Sequence, residues 1–126
     1  MIDHLDHIVL TTKDKDRCIA FYVDVLGMQL EIFAEGRMAF KFGTQKINLH
    51  EYGKEFSPKA HQPTPGSLDL CFIASVPLDS VIARLADRNW PIEEGPVIRT
   101  GAMYRIRSIY LRDPDLNLIE ISERAG

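Results

Sequence analysis

Residues 112–122 read Arg-Asp-Pro-Asp-Leu-Asn-Leu-Ile-Glu-Ile-Ser, RDPDLNLIEIS. Asp, Pro and Asn in close succession are turn residues, because Pro presets φ and the short polar side chains bond to nearby backbone. The apolar run that follows has the length and branched content of a strand. One carboxylate, Glu120, stands in its middle, and burying a carboxylate is costly unless something compensates it. Strand alternation sets Leu118, Glu120 and Ser122 on one face and Ile119 and Ile121 on the other. The fold therefore turns on which other strands put a polar group on the matching face.

The rest of the chain narrows the answer. Its 126 residues suit one domain, 45% are hydrophobic and 26% charged, a balance that supports a packed core rather than disorder. A formal charge of −3 with no basic run argues against a nucleic-acid partner. No stretch approaches the ~20 apolar residues of a membrane span, and MIDHLDH lacks the features of a signal peptide. A cytoplasmic protein with no membrane partner is expected. Cys18 and Cys71 are too few for a disulfide framework and read as small buried hydrophobes. His4 and His61 read as surface residues.

Residues 6–12 predict a strand. A helix follows over 14–28, with Ile19, Tyr22, Val23 and Leu26 on one face, Asp14 or Asp16 as cap and Gly27 as its end. Strands are expected at 29–34, 38–42 and 45–50. Residues 52–66, YGKEFSPKAHQPTPG, read as a connecting loop. The order then repeats: a strand at 67–74, a helix with Leu78, Ile82, Leu85 and Ala86 on its face and Pro91 beyond it, and strands around 92–94, 105–112 and 116–122. Such a duplication is the main fold signal. It predicts an α+β chain of two β-α-β-β-β modules, one spanning about 1–52 and the other about 67–124, joined by a loop at about 53–66. Both belong to a single domain of residues 1–126.

Parity in each strand then groups the polar residues. His7 lies opposite Ile8 and Leu10, Asn48 and His50 alternate with Ile47 and Leu49, and Asp69 and Cys71 alternate with Leu68, Leu70 and Phe72. His7, His50 or Asn48, Asp69 and Glu120 thus occupy the same kind of face. Imidazoles and carboxylates together suit a first-row divalent ion such as Mn, Fe, Ni, Co or Zn.

At these residues the chain resembles the vicinal oxygen chelate superfamily, the group of glyoxalase I, bleomycin-resistance proteins and extradiol dioxygenases. The resemblance rests on Asp6-His7-Ile8, on Phe21-Tyr22 with Val25-Leu26-Gly27-Met28, and on Asp113-Pro-Asp-Leu-Asn-Leu-Ile-Glu120. A closer similarity, to the glyoxalase domain-containing protein 5-like subgroup with its virulence-associated bacterial members, is carried by residues 46–51, 65–70, 93–96 and 99–102. The resemblance implies that the two modules curl as a mixed sheet into a cup around a metal. It carries the ligand positions onto His7, Asn48, Asp69 and Glu120, with His50 able to replace Asn48.

The activity so implied is that of a glyoxalase I-like, metal-dependent lyase or isomerase acting on a small oxygenated substrate through an enediolate. Glu120 would be the base. Asn48, Arg99, Thr100 and Tyr104 would contact the substrate, Arg99 and Thr100 through an anionic group. The alternative implied is a metal-independent, bleomycin-resistance-like binding protein. A homodimer is expected in either case.

Overall fold

The computed structural model describes residues 1–126. They form two compact units, 1–67 and 68–126, and each carries the same run of elements. The first holds β1 (His7–Thr12), α1 (Lys15–Ile19), β2 (Gln29–Phe33), β3 (Arg37–Phe42) and β4 (Gln45–Glu51). The second holds β5 (Asp69–Ile73), α2 (Leu78–Asp87), β6 (Glu94–Thr100), β7 (Arg105–Arg112) and β8 (Leu118–Arg124). Strand order is β1-β4-β3-β2 in one sheet and β5-β8-β7-β6 in the other. In each, the first and last strands of the unit run parallel and all other pairs antiparallel. The duplication read from element order is therefore a duplication of hydrogen-bonded topology. This is an α+β fold with two four-stranded mixed sheets, the duplicated arrangement that the resemblance implies.

The first helix departs from the expected face. Asp14 caps it, its carboxylate accepting from the Arg17 amide at 3.1 Å. After Ile19 it widens into a π-helix over Ala20–Val25, where the Leu26 amide reaches back five residues to the Phe21 carbonyl. The wider turn rotates the buried set to Cys18, Phe21, Tyr22 and Val25, leaving Ile19, Val23 and Leu26 at the margin. Tyr22 stacks on Phe40 of β3, ring centroids 5.0 Å apart.

Unit two shows two further differences from expectation. Ala86 of α2 is exposed while Leu78 and Leu85 are buried. The strand expected at 92–94 runs over Glu94–Thr100 instead. Gly95 and Pro96 read as turn residues, yet they form an irregularity between Glu94 and Val97 in an outer strand, where missing donors and extra residues are tolerated. Gly95 has φ +105, and a Cβ there would lie 2.5 Å from the Ser108 carbonyl oxygen of β7.

The turn quoted at the outset is a buried polar clasp. Asp113 and Asn117 are 1% exposed. Asp113 accepts from the amides of Asp115 and Asn117 at 2.9 Å and from the Asn117 carboxamide at 2.8 Å. Asn117 in turn accepts from the Leu68 amide at 2.8 Å, which ties the entry of β8 to the entry of β5. This clasp sets the register that places Glu120.

Candidate functional site

Pairing across the second sheet lines up Cys71, Glu120, Tyr110 and Glu94 as one transverse row over β5, β8, β7 and β6. The neighbouring row holds Ile73, Ser122, Ser108 and Val97. On this face lies a cleft of about 550 Å³, whose walls include Glu120, Tyr110, Cys71, Arg99, Thr100 and Tyr104. Ile73, Ile106, Ala102 and Met103 supply its apolar surface. The volume suits a small organic ligand.

Glu120 is half-buried. The Ser122 hydroxyl donates to its carboxylate over a long 3.4 Å, and Ser122 also meets Ser108 at 2.7 Å and the Cys71 sulfur at 3.5 Å. Ser108 and Ser122 are fully buried, so a hydroxyl layer underlies the carboxylate. No cation pairs with Glu120, so its charge is free to meet a ligand. Burial pushes the Cys71 thiol up, the charges of Glu120 and Asp69 adding to this and the Ser122 bond opposing it. Cys71 is thus an exposed residue on the cleft wall, not the buried hydrophobe expected, because its parity is that of Glu120. Cys18 is fully buried as expected.

Arg99 belongs to β6. Its Nε donates to the Tyr110 hydroxyl oxygen at 3.1 Å, and one Nη lies 3.7 Å from Glu94. Past the strand, the Gly101 amide donates to the Tyr104 carbonyl at 2.9 Å. A Cβ at Gly101 would stand 2.6 Å from that oxygen, so this bend requires glycine. Tyr104 lies beneath the Arg124 guanidinium, 4.9 Å from ring centroid to Cζ. Arg99, Thr100, Tyr104 and Glu120 are therefore brought to one cleft. Tyr110 joins them on the cleft wall.

On the first sheet, pairing puts His7, Val9 and Thr11 on the face of Lys46, Asn48 and His50, and turns Glu51 to the other side. The His7 Nδ1 lies 2.8 Å from the Asp6 carboxylate, an arrangement that leaves Nε2 free, as in many metal-binding imidazoles. His50 packs its ring edge on Phe56 at 5.7 Å, and Arg37 lies over the same ring at 4.3 Å. Asn48 Oδ1, His50 Nδ1 and Arg37 Nε are all buried without a hydrogen-bond partner. Burial holds the His50 imidazole below its ordinary range; the Glu55 charge opposes this, and Arg37 and Lys59 reinforce it.

Within each unit these residues stand too far apart, or are too few, to enclose a divalent ion. His7 is level with Lys46 and His50 with Thr11, so the two histidines lie four residues, about 13 Å, apart along parallel strands. One ion cannot take both from this face. His50 also neighbours a guanidinium, a poor setting for a second cation. In unit two, Asp69 pairs with Leu118 and Cys71 with Glu120, which makes Asp69 and Glu120 diagonal neighbours and only two ligands. Neither unit gathers three such groups, and the set does not make a complete metal site within either one.

Comparison with known proteins adds the following. Residues 4–121 match the family model of the Glyoxalase/Bleomycin resistance protein/Dioxygenase superfamily. The chain is 54% identical over 123 residues to virulence protein STM3117 of Salmonella typhimurium, covering 98% of this chain and 85% of that one. The crystal structure of that protein matches with TM-score 0.96 over 99% of both chains, at 53% identity. Lactoylglutathione lyase from Agrobacterium tumefaciens matches with TM-score 0.75 at 25% identity, over 98% of this chain and 95% of that one. TnmS3, an antibiotic binding protein from Streptomyces sp. CB03234, shares the fold with TM-score 0.75 at 23% identity over 98% of both chains.

Proposed function

We propose, from the premise that this chain belongs to the glyoxalase/bleomycin resistance/dioxygenase superfamily, that it is a glyoxalase I-like lyase or isomerase for a small oxygenated substrate. The observation that carries this reading is the Glu120 carboxylate, half-buried, without a counter-ion and on the wall of a ligand-sized cleft. Such a carboxylate is a competent general base. Glu120 takes a proton from the hydroxyl-bearing carbon beside a substrate carbonyl and returns it to the former carbonyl carbon, while the hydroxyl proton passes to the former carbonyl oxygen, so that alcohol and carbonyl change places. Thr100 and Tyr104 offer hydroxyls to the substrate from the same cleft. The likeness to a lactoylglutathione lyase supports the reaction class.

The decisive measurement is deuterium incorporation from D2O into small α-hydroxycarbonyl compounds, including lactoylglutathione. It is made with metal-stripped protein and again with Ni, Co, Mn, Fe or Zn added singly. Exchange lost in Glu120→Gln supports the proposal, and the metal arms decide whether a divalent ion takes part. Exchange absent from every arm sinks it. The apolar wall of Ile73, Ile106, Ala102 and Met103 favours one second reading, a binding protein that sequesters its ligand. Tight binding that survives Glu120→Gln without any exchange would establish that reading instead.

A cytoplasmic homodimer completes the proposal. No helix is long and apolar enough to cross a membrane. Twice 14.3 kDa is the mass light scattering should return.

A further inference from the structure

Arg99 is the one cation among the walls of the cleft, and its nitrogens are unequally committed. Nε donates to the Tyr110 hydroxyl oxygen at 3.1 Å and Nη1 to the Ile98 carbonyl at 3.1 Å. Nη2 only approaches Glu94, at 3.7 Å, with the two side chains 42% and 59% exposed. An ion pair so long and so open to water contributes little, so another carboxylate replaces it at small cost. Glu94 itself is not part of the cleft wall. Tyr110 is the cross-strand partner of both Glu94 and Glu120, and its phenol stands between them. Because its oxygen accepts from Arg99, its own O–H remains free to donate.

We propose that Arg99 is an exchangeable receptor for a substrate carboxylate: Glu94 holds the guanidinium in the free protein and yields it to the ligand. Tyr110 keeps Arg99 aimed and donates its hydroxyl to a ligand oxygen on the Glu120 side. This rests on the small-molecule reading above and narrows its substrate class to small organic carboxylates with an apolar body. A planar guanidinium fork pairs two oxygens of a carboxylate at once. With a single guanidinium and no lysine in the walls, and Glu120 nearby, a dianionic phosphate is disfavoured. Ile73, Ile106 and Met103 receive the apolar part.

The probes are benzoate and its neutral counterpart benzamide, titrated by calorimetry into the wild type and three variants. Benzoate should bind the wild type better than benzamide. Arg99→Gln should weaken benzoate roughly tenfold, the size expected for a charge-assisted hydrogen bond. Tyr110→Phe should weaken it about threefold, and Glu94→Gln should tighten it about threefold. Benzamide should change little in any of them. The gain in Glu94→Gln is the critical result, since a misfolded variant does not bind more tightly. No preference of the wild type for benzoate, or unchanged or weaker benzoate binding in Glu94→Gln, overturns the proposal. Absent proton exchange with this order of affinities intact removes the lyase reading and leaves the carboxylate receptor standing.

Discussion

Asn117 and Leu68 are joined across 49 positions by one hydrogen bond, from the Leu68 amide to the Asn117 side-chain oxygen at 2.8 Å. The same carboxamide donates to Asp113 at 2.8 Å. Both side chains are 1% exposed, so removing either leaves buried groups without partners. Asn117→Ala should cost about 2–4 kcal/mol, as should Asp113→Ala. Urea unfolding measures this, and a change below about 0.5 kcal/mol would show the clasp to be incidental.

The buried imidazole of His50 gives stability a pH dependence. Its folded pKa lies below the ordinary value of 6.5, so on acidification the unfolded chain takes up this proton first. Stability should therefore fall as pH drops below about 6.5, until the folded imidazole also protonates. His50→Gln should flatten that part of the curve while leaving the loss from carboxylates at lower pH. Thermal melts between pH 7.5 and pH 5 provide the comparison, and identical curves for the two proteins would count against it.

The two thiols should differ sharply in reactivity. Cys18 is fully buried on the inner face of the first helix, whereas Cys71 is accessible on the cleft wall, its thiol pushed up by partial desolvation of the sulfur and by Glu120. Iodoacetamide should modify Cys71 alone in the native protein, slowly at neutral pH and faster as pH rises, because the thiolate is the nucleophile. Glu120→Gln should quicken it. Mass spectrometry of the labelled peptides reads the outcome, and labelling of Cys18 at the same rate would contradict it.

Gly101 should matter more to the cleft than to the fold. A methyl group there meets the Tyr104 carbonyl oxygen at 2.6 Å and the Ile106 side chain at 3.1 Å, so the bend from Arg99 to Tyr104 must open. Gly101→Ala should weaken benzoate several-fold while costing about 1–2 kcal/mol of stability. Calorimetry beside urea unfolding separates the two effects.

Much of this was legible because strand alternation is a strict code. Parity alone put Glu120 opposite Ile119 and Ile121, set His50 and Asn48 on the face of His7, and turned Glu51 away, as the pairing shows. The first helix was misread because a π turn leaves no mark in a 3.6-residue period. β6 was misplaced because Gly95 and Pro96 carry turn chemistry into an outer strand. Cys71 was misjudged for another reason: its residue type suggested burial while its parity pointed to the cleft. The gathering of Arg99, Tyr110 and Glu94 was invisible, since a long side chain reaching back along a sheet has no sequence period.

Each repeat pairs its parallel strands the same way, so Asn48 opposite Val9 corresponds to Glu120 opposite Cys71. The backbone is copied faithfully, but the ionisable group is not. The Glu120 carboxylate stands one methylene further from its backbone than the Asn48 carboxamide, and only the carboxylate can take up a proton. Duplication has thus given the molecule two positions matched in backbone register, only one of which holds an ionisable side chain. Substitution Asn48→Asp would place an acid at the position of the first unit that corresponds to Glu120 in the second, and any titration it introduced would report on that position alone.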